Sequence, residues 1–232
     1  FKASLDLLIK SVKMKVKSFT FASSCSVYGE GVSHPRTEKD EVNPLTAYAK
    51  SKINFERESK KIYLGETNVT CLRFGTACGF SPRVRLDLVL NDFVASGYIT
   101  KNIQVLSDGS PFRPLIHVKD MAKSIDWSSS RSFDSKHQHL YINVGSKNCN
   151  YQIKDLAQKT ALKIKDCKLQ INTNSSPDRR SYKVDFSKYQ ELAPNHQCDI
   201  SLEYVVDELL EGLEKCHDLD SNFRNSSYMR LN

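Results

Sequence analysis

The chain has 232 residues, 39% of them hydrophobic and 26% charged, with a formal net charge of +7. That length can bury a core as one domain or two small ones, and no apolar run reaches the roughly 18 residues a membrane-spanning helix needs. Seven scattered cysteines without a Cys-x-x-Cys argue against a zinc site or a disulfide framework and for reduced thiols in a cytoplasmic protein.

The elements follow in chain order. Leu5, Leu8, Ile9 and Val12 share one side of a helix over 3–12. Asp6 breaks the apolar run that a signal peptide would need. The absence of an initiator Met leads to the expectation that other residues precede Phe1. Residues 18–23 read as a short buried strand, followed by a loop with Gly29, Gly31 and Pro35. Pro44 is placed to open a helix that runs to about Leu64, with Gly65 as its stop. Residues 68–74 read as a second buried strand, 75–82 as loop, 86–96 as helix and 103–106 as strand. Ser107 to Pro111 is turn chemistry. A helix over 118–128, a strand over 140–144, a helix over 151–162 and a strand over 168–172 follow. Helices over 187–192 and 202–216 precede a polar tail, expected to fray from Asp218.

Strands alternate with helices from Ser18 to about Val144, which predicts parallel β-α-β units covered on both faces. After residue 145 the alternation loosens. A smaller mixed region is expected to cap the carboxyl end of the sheet, where open α/β folds bind ligands. The net positive charge fits a lysine-rich solvated surface or the attraction of an anionic ligand such as a nucleotide diphosphate. Lys13, Lys15 and Lys17 read as the polar end of a helix rather than as a nucleic-acid-binding motif.

Two segments carry chemistry. Ser23-Ser24-Cys25-Ser26-Val27-Tyr28-Gly29 closes the first strand, and Tyr48-Ala49-Lys50-Ser51-Lys52 lies near the start of the next helix. Tyr48 and Lys52, four apart, share one helix face. A free tyrosine has a pKa of roughly 10, and a nearby ammonium favours its phenolate. A serine hydroxyl at the strand end can bond the same substrate oxygen. Such a set removes a proton from a carbinol as hydride leaves its carbon, or returns it. In a chain with ten tyrosines and many lysines the Tyr/Lys spacing alone is no better than chance, so its weight comes from what surrounds it.

An ordered series of motifs surrounds it. Phe21 to Gly29 is similar to a serine-rich strand end, and Pro44 to Lys52 to a Pro-x-x-x-Tyr-x-x-Ser-Lys helix. Leu72-Arg73-Phe74-Gly75-Thr76-Ala77-Cys78-Gly79 looks like a strand and loop beside a nicotinamide. Arg113 to Ala122 is similar to an Arg-x-x-x-His-Val-x-Asp-x-Ala segment. Pro177-Asp178 and Asp185-Phe186-Ser187-Lys188 resemble late family elements. From about Phe1 to Glu214 the chain thus resembles the extended short-chain dehydrogenase/reductase superfamily, within it the NAD-dependent epimerase/dehydratase family that includes UDP-glucose 4-epimerase.

The resemblance implies an α/β fold: a partial Rossmann-like doubly wound parallel sheet lacking its first strands, with a smaller mixed α/β substrate-binding region. The expected parts are 1–145 (Rossmann-like, catalytic), 146–217 (cap, interleaved with 80–118) and 218–232 (tail). By the same resemblance Tyr48 is the acid/base, Lys52 holds the nicotinamide ribose and tunes Tyr48, and Ser24 bonds the reacting sugar oxygen. Ser23 and Phe74 join Tyr48 and Lys52 at the cofactor. Ser26, Tyr28 and Thr76 line the sugar pocket, Arg113 meets the diphosphate, and Asp178 meets the nucleotide ribose. His117 is structural. The implied cofactor is NAD, with NADP left open. The implied partners are a nucleotide-diphosphate sugar and a second copy bound through the helix carrying Tyr48, with neither nucleic acid nor membrane.

Departures sharpen the reading. Thr76 stands where many relatives place Asn, and Ser175 where the 4-epimerase has Arg. Related dehydratases carry an acidic pair, or at least a Glu, at the positions of Cys25 and Ser26, because elimination needs one proton taken and another given. That favours an epimerase or 4-ketoreductase, with Cys25 a small filler. A dehydratase-like relative and a non-catalytic nucleotide-sugar-binding remnant stay open as alternatives. The family's Gly-x-x-Gly-x-x-Gly turn, which binds pyrophosphate at a helix N-terminus, is not found among the nine glycines. The chain is therefore expected to be an N-terminally truncated fragment with little activity alone.

Overall fold

The computed structural model describes residues 1–30, 34–175, 181–216 and 219–229. In chain order the elements are α1 (Lys2–Lys13), β1 (Ser18–Ser24), a 3-10 turn (Cys25–Tyr28), α2 (Ala47–Ser59), β2 (Asn68–Phe74), β3 (Thr76–Cys78) and α3 (Val89–Thr100). Next come β4 (Asn102–Val105), β5 (Phe112–His117), α4 (Val118–Ser130), β6 (His139–Val144), β7 (Asn150–Gln152) and α5 (Ile153–Lys163). The chain closes with β8 (Lys168–Ile171), α6 (Ser187–Leu192) and α7 (Leu202–Glu214). They form two compact units. One comprises Phe1–Gly75, Lys119–Lys147 and Arg180–Cys198; the other comprises Thr76–Val118, Asn148–Arg179 and Asp199–Asn232. The segment interleaved into the second unit starts at Thr76, and Arg180–Cys198 belongs to the first unit.

The first unit is built on a parallel sheet of order β1-β2-β6. Every residue of β2 is buried, as a parallel strand covered on both faces requires. Side chains alternate. Phe19 and Phe21 of β1 stack on Phe55 of α2, in a core with Leu8 of α1, Leu64, Val69 and Cys71. Burying each such side chain stabilises the fold by about 1.5–3 kcal/mol. On the opposite parity, Ser18 donates to the Ser128 carbonyl, Thr20 and Ser128 hydroxyls meet at 2.6 Å, and Arg131 donates to Thr70. Hydroxyl contacts therefore join this face to α4 and to the residue that follows it. The register aligns Ser24 with Phe74 and Phe74 with Val144, so three strand ends form one rim.

The second unit has β5 between β3 (parallel) and β7 (antiparallel), and the separate parallel pair β4-β8. Its core draws on α3, α5 and α7 through Leu90, Val94, Leu156, Ala157, Val206 and Leu209. The sequence reading places no strand over 112–117, where Pro114 lacks the N–H that a ladder uses. In the structure Pro114 lies opposite Asn150 at the end of a short antiparallel ladder. His117 is buried, its Nε2 lies 2.6 Å from Glu208 Oε2, and the same oxygen accepts the Phe80 N–H. Gly79 adopts φ +100°, and a Cβ there would collide with the His117 ring.

Two expectations are corrected. The second helix begins at Ala47, not Pro44, because the Thr46 hydroxyl accepts the Ala49 N–H and caps it. It ends at Ser59, whose Oγ lies 2.7 Å from His139 Nε2. The tail does not fray throughout. Phe223 is buried, Arg224 pairs with Asp92 at 2.9 Å, and the Leu86 N–H donates to the Tyr228 carbonyl. No helix among the described residues is long and apolar enough to cross a membrane.

His139 opens β6. Burial, aided by the Lys60 charge, holds its pKa below the usual 6.5. The unfolded chain therefore takes up this proton first, and folded stability is lost as pH falls from about 6.5 through the lower native value. Urea unfolding at about pH 7 and about pH 5 should show a smaller acid loss for His139→Gln than for the parent protein. Equal losses would remove His139 from the account.

Candidate active site

Ser24 ends β1 in extended geometry (φ −153°, ψ 140°) and caps the 3-10 turn that follows. Its Oγ accepts the Ser26 N–H at 3.2 Å and the Ser26 hydroxyl at 2.9 Å. Two incoming donors leave the Ser24 O–H as the group that can donate outward. Cys25 is fully buried and its thiol donates to the Arg73 carbonyl at 3.1 Å. That is a packed filler, not an exposed nucleophile. Gly29 closes the turn at φ +67°, and a Cβ there would strike the Asn43 carbonyl.

Tyr48 lies in the first turn of α2 and is 47% exposed. Lys52 stands one helical turn on. Its Nζ donates to the Ala22 carbonyl at 2.8 Å, lies 5.2 Å from the centre of the Tyr48 ring and 4.9 Å from that of Phe21. Partial burial lowers its pKa. A single ammonium thus ties the helix carrying Tyr48 to the strand ending in Ser24. The exposed phenol, the ammonium beside it and the outward hydroxyl are all within the first unit.

Beneath this rim lies a polar cluster that the motif reading missed. Glu56 follows Lys52 by four residues and is almost fully buried. Its Oε1 accepts the Ser23 hydroxyl at 2.6 Å and Arg73 Nε at 3.0 Å, and its Oε2 accepts Arg73 Nη2 at 2.6 Å. Arg73 Nη1 donates to the Tyr28 hydroxyl at 2.9 Å. That hydroxyl in turn lies 2.7 Å from Asn143 Oδ1 and 3.0 Å from the Thr37 carbonyl. Burial opposes the Arg73 charge, but the Glu56 carboxylate outweighs it and raises the Arg73 pKa. Burial also pushes the Tyr28 phenol well above its ordinary value. A signal for the cluster was present: an Arg inside the apolar strand 68–74 and a Glu in step with Tyr48 and Lys52. Charged residues are rarely fully buried unless paired.

Two of the expected contact residues are engaged within the protein. Tyr28 is fully buried, and its hydroxyl is engaged by Arg73, Asn143 and Thr37. The Ser23 side chain faces Glu56 and donates to its carboxylate. Phe74 is buried at the end of β2, and Ser26 is half-buried with its hydroxyl given to Ser24. Thr76 and Arg113 belong to the second unit, on the paired strands β3 and β5, where Arg113 Nη1 donates to the Phe112 carbonyl at 2.9 Å. Asp178 lies outside the described residues. Among the described residues no cluster of His, Cys, Asp or Glu could hold a metal ion.

Comparison with known proteins gives a consistent picture. The model of the NAD dependent epimerase/dehydratase family matches residues 1–145. Protein CapI of Staphylococcus aureus is 30% identical over 123 residues, which are 52% of this chain and 36% of that protein. The UDP-glucose 4-epimerase of Halalkalibacterium halodurans is 30% identical over 137 residues, 51% of this chain and 40% of that one. The matches thus span about two-fifths or less of these relatives' length. Among solved structures, MoeE5 in complex with UDP-glucose and NAD superposes with a TM-score of 0.75 at 22% identity, covering 92% of this chain and 70% of that one. At that identity the likeness is one of fold.

The strain at Gly29 is testable without any ligand. Gly29→Ala combines a left-handed backbone with a clash against main chain, and each such penalty is about 1–3 kcal/mol. A loss of at least ~2 kcal/mol is expected in urea unfolding. A change below ~0.5 kcal/mol would mean that the turn is free to relax.

Proposed function

The chain belongs to the NAD dependent epimerase/dehydratase family, and on that premise we propose that it carries the proton-transfer residues of a nucleotide-sugar epimerase or 4-ketoreductase. The observation that carries the reading is the contact of Lys52 with both the Ala22 carbonyl and the Tyr48 ring, at the rim where Ser24 ends its strand. The substrate class is a nucleotide-diphosphate sugar, and the reacting centre is a secondary carbinol or its ketone, at C4 of the sugar.

In the oxidising direction the Tyr48 phenolate accepts the proton of the carbinol O–H, and the two electrons of the adjacent C–H bond leave as hydride. In reverse the Tyr48 phenol returns the proton to the ketone oxygen. Ser24 donates its remaining hydrogen to that same oxygen and so holds it beside Tyr48. Lys52 favours the phenolate by its charge. NAD(P), when bound, supplies the hydride acceptor and donor, its nicotinamide ribose held by Tyr48 and Lys52. The residues present fit that end of the cofactor. The nine glycines provide no Gly-x-x-Gly-x-x-Gly turn for the pyrophosphate. Arg113 suits a diphosphate, since a guanidinium binds phosphate bidentately. Epimerisation or reduction is favoured over dehydration because Cys25 and Ser26 present a buried thiol and an internally bonded hydroxyl where elimination requires carboxylates.

Tyr48→Phe in the whole protein should lower kcat by ~10²–10⁴-fold, the usual worth of a positioned acid/base, with the KM for the nucleotide sugar little changed. Turnover equal to the parent protein would exclude Tyr48 from the chemistry. Calorimetric titration of the 232 residues alone should give NAD binding weaker than about millimolar, a free energy near −4 kcal/mol. Micromolar binding would show that the nicotinamide-end contacts suffice.

A further inference from the structure

We propose that Glu56 and Arg73 are positioning residues, whose buried ion pair sets the Ser24 turn and the Tyr48 helix at their working separation. This rests on the acid/base reading of Tyr48.

The cluster links every element that carries the site in the first unit. Tyr48, Lys52 and Glu56 follow at four-residue steps along α2, so they share one face. The Glu56 carboxylate accepts the hydroxyl of Ser23, the residue next to Ser24 on β1. Arg73 grips the same carboxylate from β2, through Nε and Nη2. The third guanidinium nitrogen, Nη1, donates to Tyr28, the last residue of the turn that begins at Cys25. Tyr28 reaches Asn143 on β6, and the Asn143 amide donates in turn to the Arg36 and Asp185 carbonyls. The guanidinium also lies over the Tyr28 and Tyr141 rings, at 5.3 and 4.9 Å. All three guanidinium nitrogens donate to residues of this unit.

Stability alone is a weak reason for such a pair. Desolvating two charges offsets most of their attraction, and apolar replacements of similar volume are often no less stable. What a bidentate pair supplies and apolar packing does not is direction. The acid/base group and the hydroxyl that holds its substrate come from different elements. A misplacement of about 1 Å between such groups can cost about a hundredfold in rate.

The test compares four forms of the whole protein: parent, Tyr48→Phe, Glu56→Gln, and the double variant Glu56→Leu with Arg73→Met. Glu56→Gln strands a buried cation and should lower Tm. The double variant removes both charges and should recover most of the Tm that Glu56→Gln loses, since Tyr28 keeps Asn143 and Thr37 and only the Ser23 hydroxyl gives up its Glu56 acceptor. Its kcat should nevertheless stay at least about tenfold down, with the KM for the nucleotide sugar within about threefold. A purely structural pair predicts that kcat recovers with Tm, and that result overturns the proposal. If the double variant does not fold, Ser23→Ala decides. It leaves the ion pair intact, and a severalfold fall in kcat at unchanged KM and Tm is expected, whereas parent kcat overturns the proposal. Tyr48→Phe separates the two levels. If it leaves turnover intact, the acid/base reading falls and takes this proposal with it. If it abolishes turnover while the double variant keeps it, positioning alone is lost.

Discussion

Beneath the strand that ends in Ser24, a carboxylate and a guanidinium meet at 2.6 Å with almost no access to water. Glu56 and Arg73 could not be buried singly, because an unpaired charge in that position costs several kcal/mol. Each therefore requires the other, and their hydrogen bonds require Ser23 and Tyr28. The consequence is geometric. Two strands, one helix and one turn converge on a few oxygen and nitrogen atoms, and the candidate residues Ser24 and Lys52 sit one step outward along those same elements. Lys52 makes a second, shallower tie between α2 and β1 through the Ala22 carbonyl.

The arrangement divides labour along a single helix face. Glu56, deepest, is committed to structure. Lys52, half-buried, keeps one contact with main chain and another with a phenol ring. Tyr48, at the helix start, is the most exposed of the three and free to meet a ligand. On the strand side the same gradient runs from Ser23, turned inward to Glu56, to Ser24, whose two accepted hydrogen bonds leave its own hydrogen for use. A parallel sheet makes this possible, since its carboxyl rim gathers the ends of β1, β2 and β6 in register.

Much of the fold could be read directly from residue patterns. The strand over 68–74 and the helix over 187–192 match the structure to the residue, because a fully buried parallel strand and a short bounded helix have clear edges. The start of α2 differs from the pattern, because Pro44 is a good helix opener but Thr46 supplies the capping oxygen. β5 was missed because local propensity argues against a strand with proline at its third position, and only its neighbours on either side make it one. The tail reads as polar and mobile, yet Phe223 finds a core to enter. Of the site, Ser24, Tyr48 and Lys52 were legible as a motif series. The burial of the Tyr28 phenol was not legible, because proximity in sequence to Ser24 says nothing about which way a phenol turns.

The sequence by itself determined the class of fold, the family and the types of group offered to a substrate, because periodicity, caps and ordered motifs are local and additive. It also determined that Cys25 and Ser26 supply no carboxylate for elimination. Only the tertiary structure decided which hydroxyls are spent on the protein itself and which remain for a ligand. That choice turns on burial and on hydrogen-bond partners far away in the chain. Glu56 lies 17 residues from Arg73 and 33 from Ser23, and Tyr28 lies 115 from Asn143. No pattern of spacing along the chain encodes such meetings. They exist because a buried polar group must find its partner wherever the packed sheet and helix bring one.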